Sequence, residues 1–86
     1  MTFMNEKAIV IFNIVNRNFQ VDLEIPLNIT ANELVVALNT AYELGIDTTD
    51  AKNCFLKAEN PIALLKGNRL LSEFGVRNGT VIYFTE

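Results

Sequence analysis

One stretch of this chain carries a full set of helix signals, while the runs on either side of it carry strand signals. Thr30 and Glu33 stand at the spacing of a capping box, in which the hydroxyl accepts from the backbone N–H three residues on and the carboxylate reaches back to the cap. Ile29 and Leu34 bracket the cap at the spacing of a hydrophobic staple, and the cap alone is worth about 1 kcal/mol. Leu34, Ala37, Leu38, Ala41 and Leu44 then recur at intervals of three and four, which predicts one apolar stripe on a helix over 31–44. Gly45 follows, suited to a left-handed C-terminal cap with Ile46 folding back over the last turn.

Before the helix, residues 8–15 are β-branched and aromatic on both parities, the composition of a strand apolar on both faces. Asn16-Arg17-Asn18 breaks the run. Phe19, Val21, Leu23 and Ile25 then alternate with Gln20, Asp22 and Glu24, so residues 8–25 read as a β-hairpin with one wet face on its second strand. After the helix, residues 54–58 and 62–65 read as two further strands separated by a Glu59-Asn60-Pro61 turn, where proline removes a donor. Residues 70–75 suit a single helical or 3-10 turn ending at Gly75, Asn78-Gly79 a tight turn, and residues 80–84 a final strand. The order is ββαββ, a short turn, then β. No repeat or linker interrupts it, so residues 1–86 are expected to form a single domain.

Composition removes several kinds of chemistry. With no histidine, one cysteine (Cys54) and one serine (Ser72), neither a Ser-His-Asp nor a Cys-His arrangement can be assembled, and one thiol cannot build a usual zinc site or a disulfide framework. Cys54, among strand-forming apolar residues, reads as structural, and Ser72 as the cap of its own short turn. Asp47 and Asp50 lack further oxygen ligands at loop spacing and read as a solvated loop; no cofactor is expected. The net charge of -3 gives no basic field for a phosphate backbone, so no nucleic-acid partner is expected. Charge is uneven, however: residues 1–51 carry net -5 and residues 52–86 net +2. Mean hydropathy is +0.23, yet the longest unbroken apolar run is five residues, far below the ~20 of a spanning helix. The start lacks the pattern of a secretory signal, so a cytoplasmic protein without membrane insertion is expected.

The stretch from Ile25 to Leu38 resembles the second strand and main helix of a ubiquitin-like β-grasp domain. Leu71-Ser72-Glu73-Phe74-Gly75-Val76, a turn and the strand to Phe84 resemble the end of the same fold. Within that superfamily, Leu71-Ser72-Glu73-Phe74-Gly75-Val76-Arg77-Asn78-Gly79 is similar to a run of the YukD/EsaB family, small accessory proteins of the type VII (WXG100) secretion system in Gram-positive bacteria. The resemblance covers roughly residues 8–85. It implies an α+β fold, a mixed sheet of about five strands packed on one helix, and a bacterial protein that supports secretion through contacts rather than catalysis. The alternative is a protein modifier or sulfur carrier. Such proteins activate a C-terminal Gly-Gly, whereas this sequence closes on Tyr83-Phe84-Thr85-Glu86, so conjugation is not expected.

In a β-grasp sheet the helix covers one face, with the first, third and last strands in the middle. Placing Val81 and Tyr83 under the helix turns Ile82 and Phe84 outward, and Lys57 pointing outward takes Phe55 with it. Both parities of residues 9–15 are apolar, so the first strand offers that face either Ile9, Ile11 and Val15 or Val10, Phe12 and Ile14. The expected partner surface is therefore an apolar patch of Phe55, Ile82, Phe84 and Ile11, rimmed by Lys57, Lys66 and Arg69, which docks a secretion-system protein or a second copy of the chain. The resemblance adds that ubiquitin-like domains commonly bind through this face.

Overall fold

The computed structural model describes residues 6–85. Strand β1 (Lys7–Ile14) and strand β2 (Phe19–Pro26) form the expected hairpin, in unbroken antiparallel register from Lys7 opposite Pro26 to Ile14 opposite Phe19. A 3-10 turn at Val15–Arg17 joins them, and Asn18 closes it with φ 53°, a conformation asparagine tolerates better than most residues. The parity of β1 that the sequence leaves open is settled by burial. Ala8, Val10, Phe12 and Ile14 point into the core, leaving Ile9, Ile11 and Asn13 on the other face.

Helix α1 spans Ala31–Tyr42 and begins with the expected capping box: Glu33 N–H donates to Thr30 Oγ1 at 3.1 Å, and Thr30 N–H donates to Glu33 Oε1 at 2.9 Å. The next exposed donors find carbonyls of the 66–70 loop, Ala31 N–H to Arg69 O and Asn32 N–H to Gly67 O, both at 2.9 Å. All the first-turn donors named here are thus satisfied within the fold.

The helix is rotated from the expected stripe. Ala31, Leu34, Val35 and Leu38 are buried, whereas Ala37 and Ala41 are exposed. Burying the larger Val35 removes more apolar area from water than burying an alanine. The helix also stops at Tyr42, two residues early. Arg17, on the hairpin turn, donates from its guanidinium to Tyr42 O and Glu43 O, each at 2.7 Å. A cation on the last carbonyls complements the helix dipole. The Asn39 side-chain amide clasps the backbone of Ile46, donating to Ile46 O and accepting from Ile46 N–H, which draws the chain off the helix axis. Phe12 and Phe19 tilt against Tyr42 with ring centroids 5.1 and 5.6 Å away, completing the contact between hairpin and helix end.

Strands β3 (Leu56–Glu59), β4 (Ala63–Leu65) and β5 (Val81–Phe84) begin one or two residues later than the sequence pattern suggests. They complete a five-stranded mixed sheet in the order β2-β1-β5-β3-β4, with β1 and β5 parallel and the other pairs antiparallel. A second 3-10 turn at Leu71–Phe74 ends, as expected, at Gly75 with φ 82°. The Glu73 carboxylate, not Ser72, closes that turn, accepting from Leu70 N–H at 2.9 Å. Thr80 is fully buried, and its hydroxyl donates to Asn60 O at 2.8 Å and accepts from Arg77 N–H at 3.0 Å.

The parity of β5 is the reverse of the expectation. Ile82 is 0% exposed, in register with Phe12 on one side and Ala58 on the other, so it lies in the core beneath the helix. Phe84 shares that row and packs half-buried against the core edge, while Val81 and Tyr83 face away. Alternation alone cannot decide between two apolar rows; the neighbours do. With β5 held between β1 and β3, its inward row must match theirs.

Placing a carboxylate at Ile82 strands a charge in the core, a cost of several kcal/mol against a total stability of 5–15 kcal/mol for a typical domain. Ile82→Asp is therefore expected to abolish the cooperative thermal transition followed by circular dichroism, while Leu64→Asp on the opposite face keeps it. A folded Ile82→Asp protein contradicts this placement.

Candidate functional site

The face of the sheet opposite α1 is built row by row from the strand registers. Ile9 and Ile11 on β1 lie on it, with Val81 beside Ile11 and Tyr83 beside Asn13 on β5. Lys57 of β3 pairs with Tyr83 on one side and with Leu64 of β4 on the other, and Glu59 pairs with Val81. Ile9 is 53% exposed and Leu64 44%, high values for large aliphatic side chains. Phe55, just before β3, is half-buried and joins Lys57, Tyr83, Phe84 and Thr85 around a shallow depression at the end of this face. Apolar side chains thus run along the central strands, with Asn13 of β1 and Lys57 and Glu59 of β3 among them and Gln20, Asp22 and Glu24 of β2 along one side.

The structure brings together three of the expected site residues, Ile11, Phe55 and Lys57, and separates the rest. Ile82 is a correction: it is core. Phe84 reaches only the border of the face. Lys66 and Arg69 are also displaced, because the 66–70 loop is drawn to the start of α1 by the hydrogen bonds from Ala31 and Asn32. There they line a separate depression with Asn32, Thr48, Thr49 and Cys54. The Arg69 guanidinium lies 5.0 Å from the centre of the Phe74 ring, a cation–π contact within the fold. The expected basic rim is therefore reduced to Lys57. Of the other residues on this face, Ile9 belongs to one of the two parities the sequence leaves open, Val81 and Tyr83 are expected under the helix, and Leu64 is not assigned a face because its strand carries no clear alternation.

The polar side chains elsewhere serve the fold. Cys54 is 4% exposed, and its thiol donates to Asn32 Oδ1 at 3.3 Å. Burial pushes its pKa up from the ordinary value, and the nearby Asp47 and Asp50 carboxylates push it further, the opposite of what a nucleophile needs. Asp47 accepts from the Thr49 hydroxyl at 2.6 Å and from Thr49 N–H at 3.0 Å, which hold its carboxyl below the usual range. The Asp50 carboxylate accepts from Lys52 N–H at 3.0 Å and from the Asn53 side-chain amide at 2.6 Å. Among the described residues no three histidine, cysteine, aspartate or glutamate side chains gather as a metal site would require, and no helix is long and apolar enough to cross a membrane.

A mixed five-stranded sheet with central parallel β1 and β5, crossed on one face by a single helix, defines a ubiquitin-like β-grasp domain. The solution structure of the C-terminal ubiquitin-like domain of mouse tubulin-specific chaperone e is similar, with a TM-score of 0.70 over 98% of this chain and 90% of that one; at 12% identity the likeness is one of fold. The chain belongs to the family described as WXG100 protein secretion system (Wss), protein YukD, whose model matches residues 9–84. No curated protein sequence matches it significantly.

The surroundings of Cys54 lead to a reactivity prediction. A thiol with a raised pKa in the fold adds stability below its unfolded value and loses that contribution as pH rises through the folded value. Iodoacetamide is therefore expected to label Cys54 at pH 8 at least about tenfold more slowly in the native protein than in urea. In alkaline solution, stability is expected to fall more steeply for the native sequence than for Cys54→Ala. Native labelling at the rate of the unfolded chain contradicts both expectations.

Proposed function

We propose that this chain is a non-catalytic interaction module, a single ubiquitin-like domain over residues 1–86 that acts in the cytoplasm of a Gram-positive bacterium as an accessory protein of the type VII (WXG100) secretion system. It works by docking another protein of that system on the open face of its sheet. The observation that carries this reading is the apolar band of exposed Ile9 and Leu64 and half-buried Ile11, Val81 and Tyr83, with Phe55 at one end and Lys57 and Glu59 among them. Membership of the YukD family supports the secretion setting. The tied-up state of Cys54, Asp47 and Asp50 supports a role through contacts rather than bond-making.

Binding through such a band draws on apolar area removed from water, with a few well-packed side chains carrying most of the energy. Lys57 gives the surface one charge to orient an acidic group of the partner. In a host lacking the gene, the native chain is expected to restore export of WXG100 substrates, and the double variant Ile9→Asp/Leu64→Asp to fold normally but fail to restore it. Full export by that folded variant contradicts the reading. Self-association through this face is distinguished by sedimentation, where a concentration-dependent dimer is lost in the same variant.

A further inference from the structure

Strand β2 is an open edge. Among the described residues it pairs only with β1, at one end of the sheet, while the opposite edge strand β4 is three residues long. An eight-residue edge in unbroken register presents a row of backbone donors and acceptors to whatever approaches. Of the usual protections it carries no bulge, no lysine, and no proline before its last residue, Pro26; its only charges, Asp22 and Glu24, are both acidic and on one side.

The two sides of that edge differ. On the helix side lie Phe19, 38% exposed, and Val21 and Leu23, each only half-buried, whereas the corresponding row of β1 is sealed. The helix does not close over them. Asn32 and Asn39 hold one flank of α1 to Cys54 and Ile46, on the chain leading to β3. At 3.6 residues per turn, Ala37 and Ala41 stand on the opposite flank, toward β2, and both are exposed. With only alanines on that flank, Val21 and Leu23 stay partly uncovered where longer helix side chains would shield them. On the outer side, β2 presents Asp22 and Glu24, in register with Ile11 and Ile9. Lys7 approaches Glu24 at 3.9 Å, both side chains being well exposed, and no basic residue lies on β2 itself.

We propose that β2 accepts an extended segment of a partner protein as a sixth strand, and that this segment alternates apolar and basic residues. The alternation follows from the pleat. Successive side chains of an added strand point to opposite faces, so one row covers the partly exposed Val21 and Leu23 on the helix side, and the other stands next to Asp22 and Glu24. Opposite charges across neighbouring strands are favourable and like charges are not. A second copy of β2 is a poor occupant for that reason, since it sets carboxylates against carboxylates. This surface is distinct from the apolar band on the open face, and the inference stands independently of the function proposed for that band.

The test uses the full chain and a synthetic peptide of alternating valine and lysine, as long as β2, with amide hydrogen exchange followed by NMR. The peptide is expected to protect β2 amides that exchange freely in the protein alone. A peptide of alternating valine and glutamate, or one with the same valines and lysines in grouped order, is expected to give no protection. Asp22→Lys is expected to weaken binding by about tenfold, and Ala37→Glu, an exposed helix position, to abolish it without loss of the thermal transition. Absence of β2 protection, equal binding of the glutamate peptide, or protection centred on Ile9 and Val81 overturns the proposal. So does concentration-dependent protection of β2 in the protein alone, which would give the edge to a second copy.

Discussion

The parallel pairing of β1 with β5 is the constraint from which the rest of the structure follows. It sets Phe12 beside Ile82, both fully buried, and β3 on the far side of β5 adds Ala58 to the same row. Once that row faces the helix, the alternate one (Ile9, Ile11, Val81, Tyr83) must face away, because the side-chain period of a strand is two. A slip of one residue would exchange the two rows. Register is therefore the physical origin of both the core and the open apolar face.

The helix holds its place through contacts at both ends. Its first-turn donors reach the 66–70 loop, and its last carbonyls receive the Arg17 guanidinium from the hairpin turn. Between these points, Asn39 and Asn32 bind one flank to the chain that leads into β3. The helix is thus drawn toward the β3 side, which explains why β2 is the strand it covers least. The same anchoring carries Lys66 and Arg69 away from the open face.

Much of this architecture is legible in the sequence, and the missing parts have a common cause. The Thr30/Glu33 cap, the hairpin, the Gly75 turn and the order of elements are local signals, readable from neighbours in the chain. The two corrections that matter, the rotation of α1 and the parity of β5, concern which of two apolar faces turns inward. Local pattern is silent there, since Val35 competes with Ala37 and Ile82 with Val81, and only long-range packing decides. Arg17 and Asn39 are invisible for a related reason: their hydrogen bonds join residues that the sequence does not relate by any motif. The face opposite the helix is uncovered, as expected, but the residues that β5 contributes to it are Val81 and Tyr83 rather than Ile82 and Phe84.

The central claim is that β1 and β5 present their odd-numbered side chains to solvent and their even-numbered ones to the helix. Paramagnetic relaxation by a soluble, inert probe, read on methyl groups by NMR, tests it directly. Strong attenuation is expected for the Ile9, Ile11, Leu64 and Val81 methyls, with Val10, Ile14, Leu65 and Ile82 spared. Attenuation of Ile82 equal to that of Ile9 would contradict it.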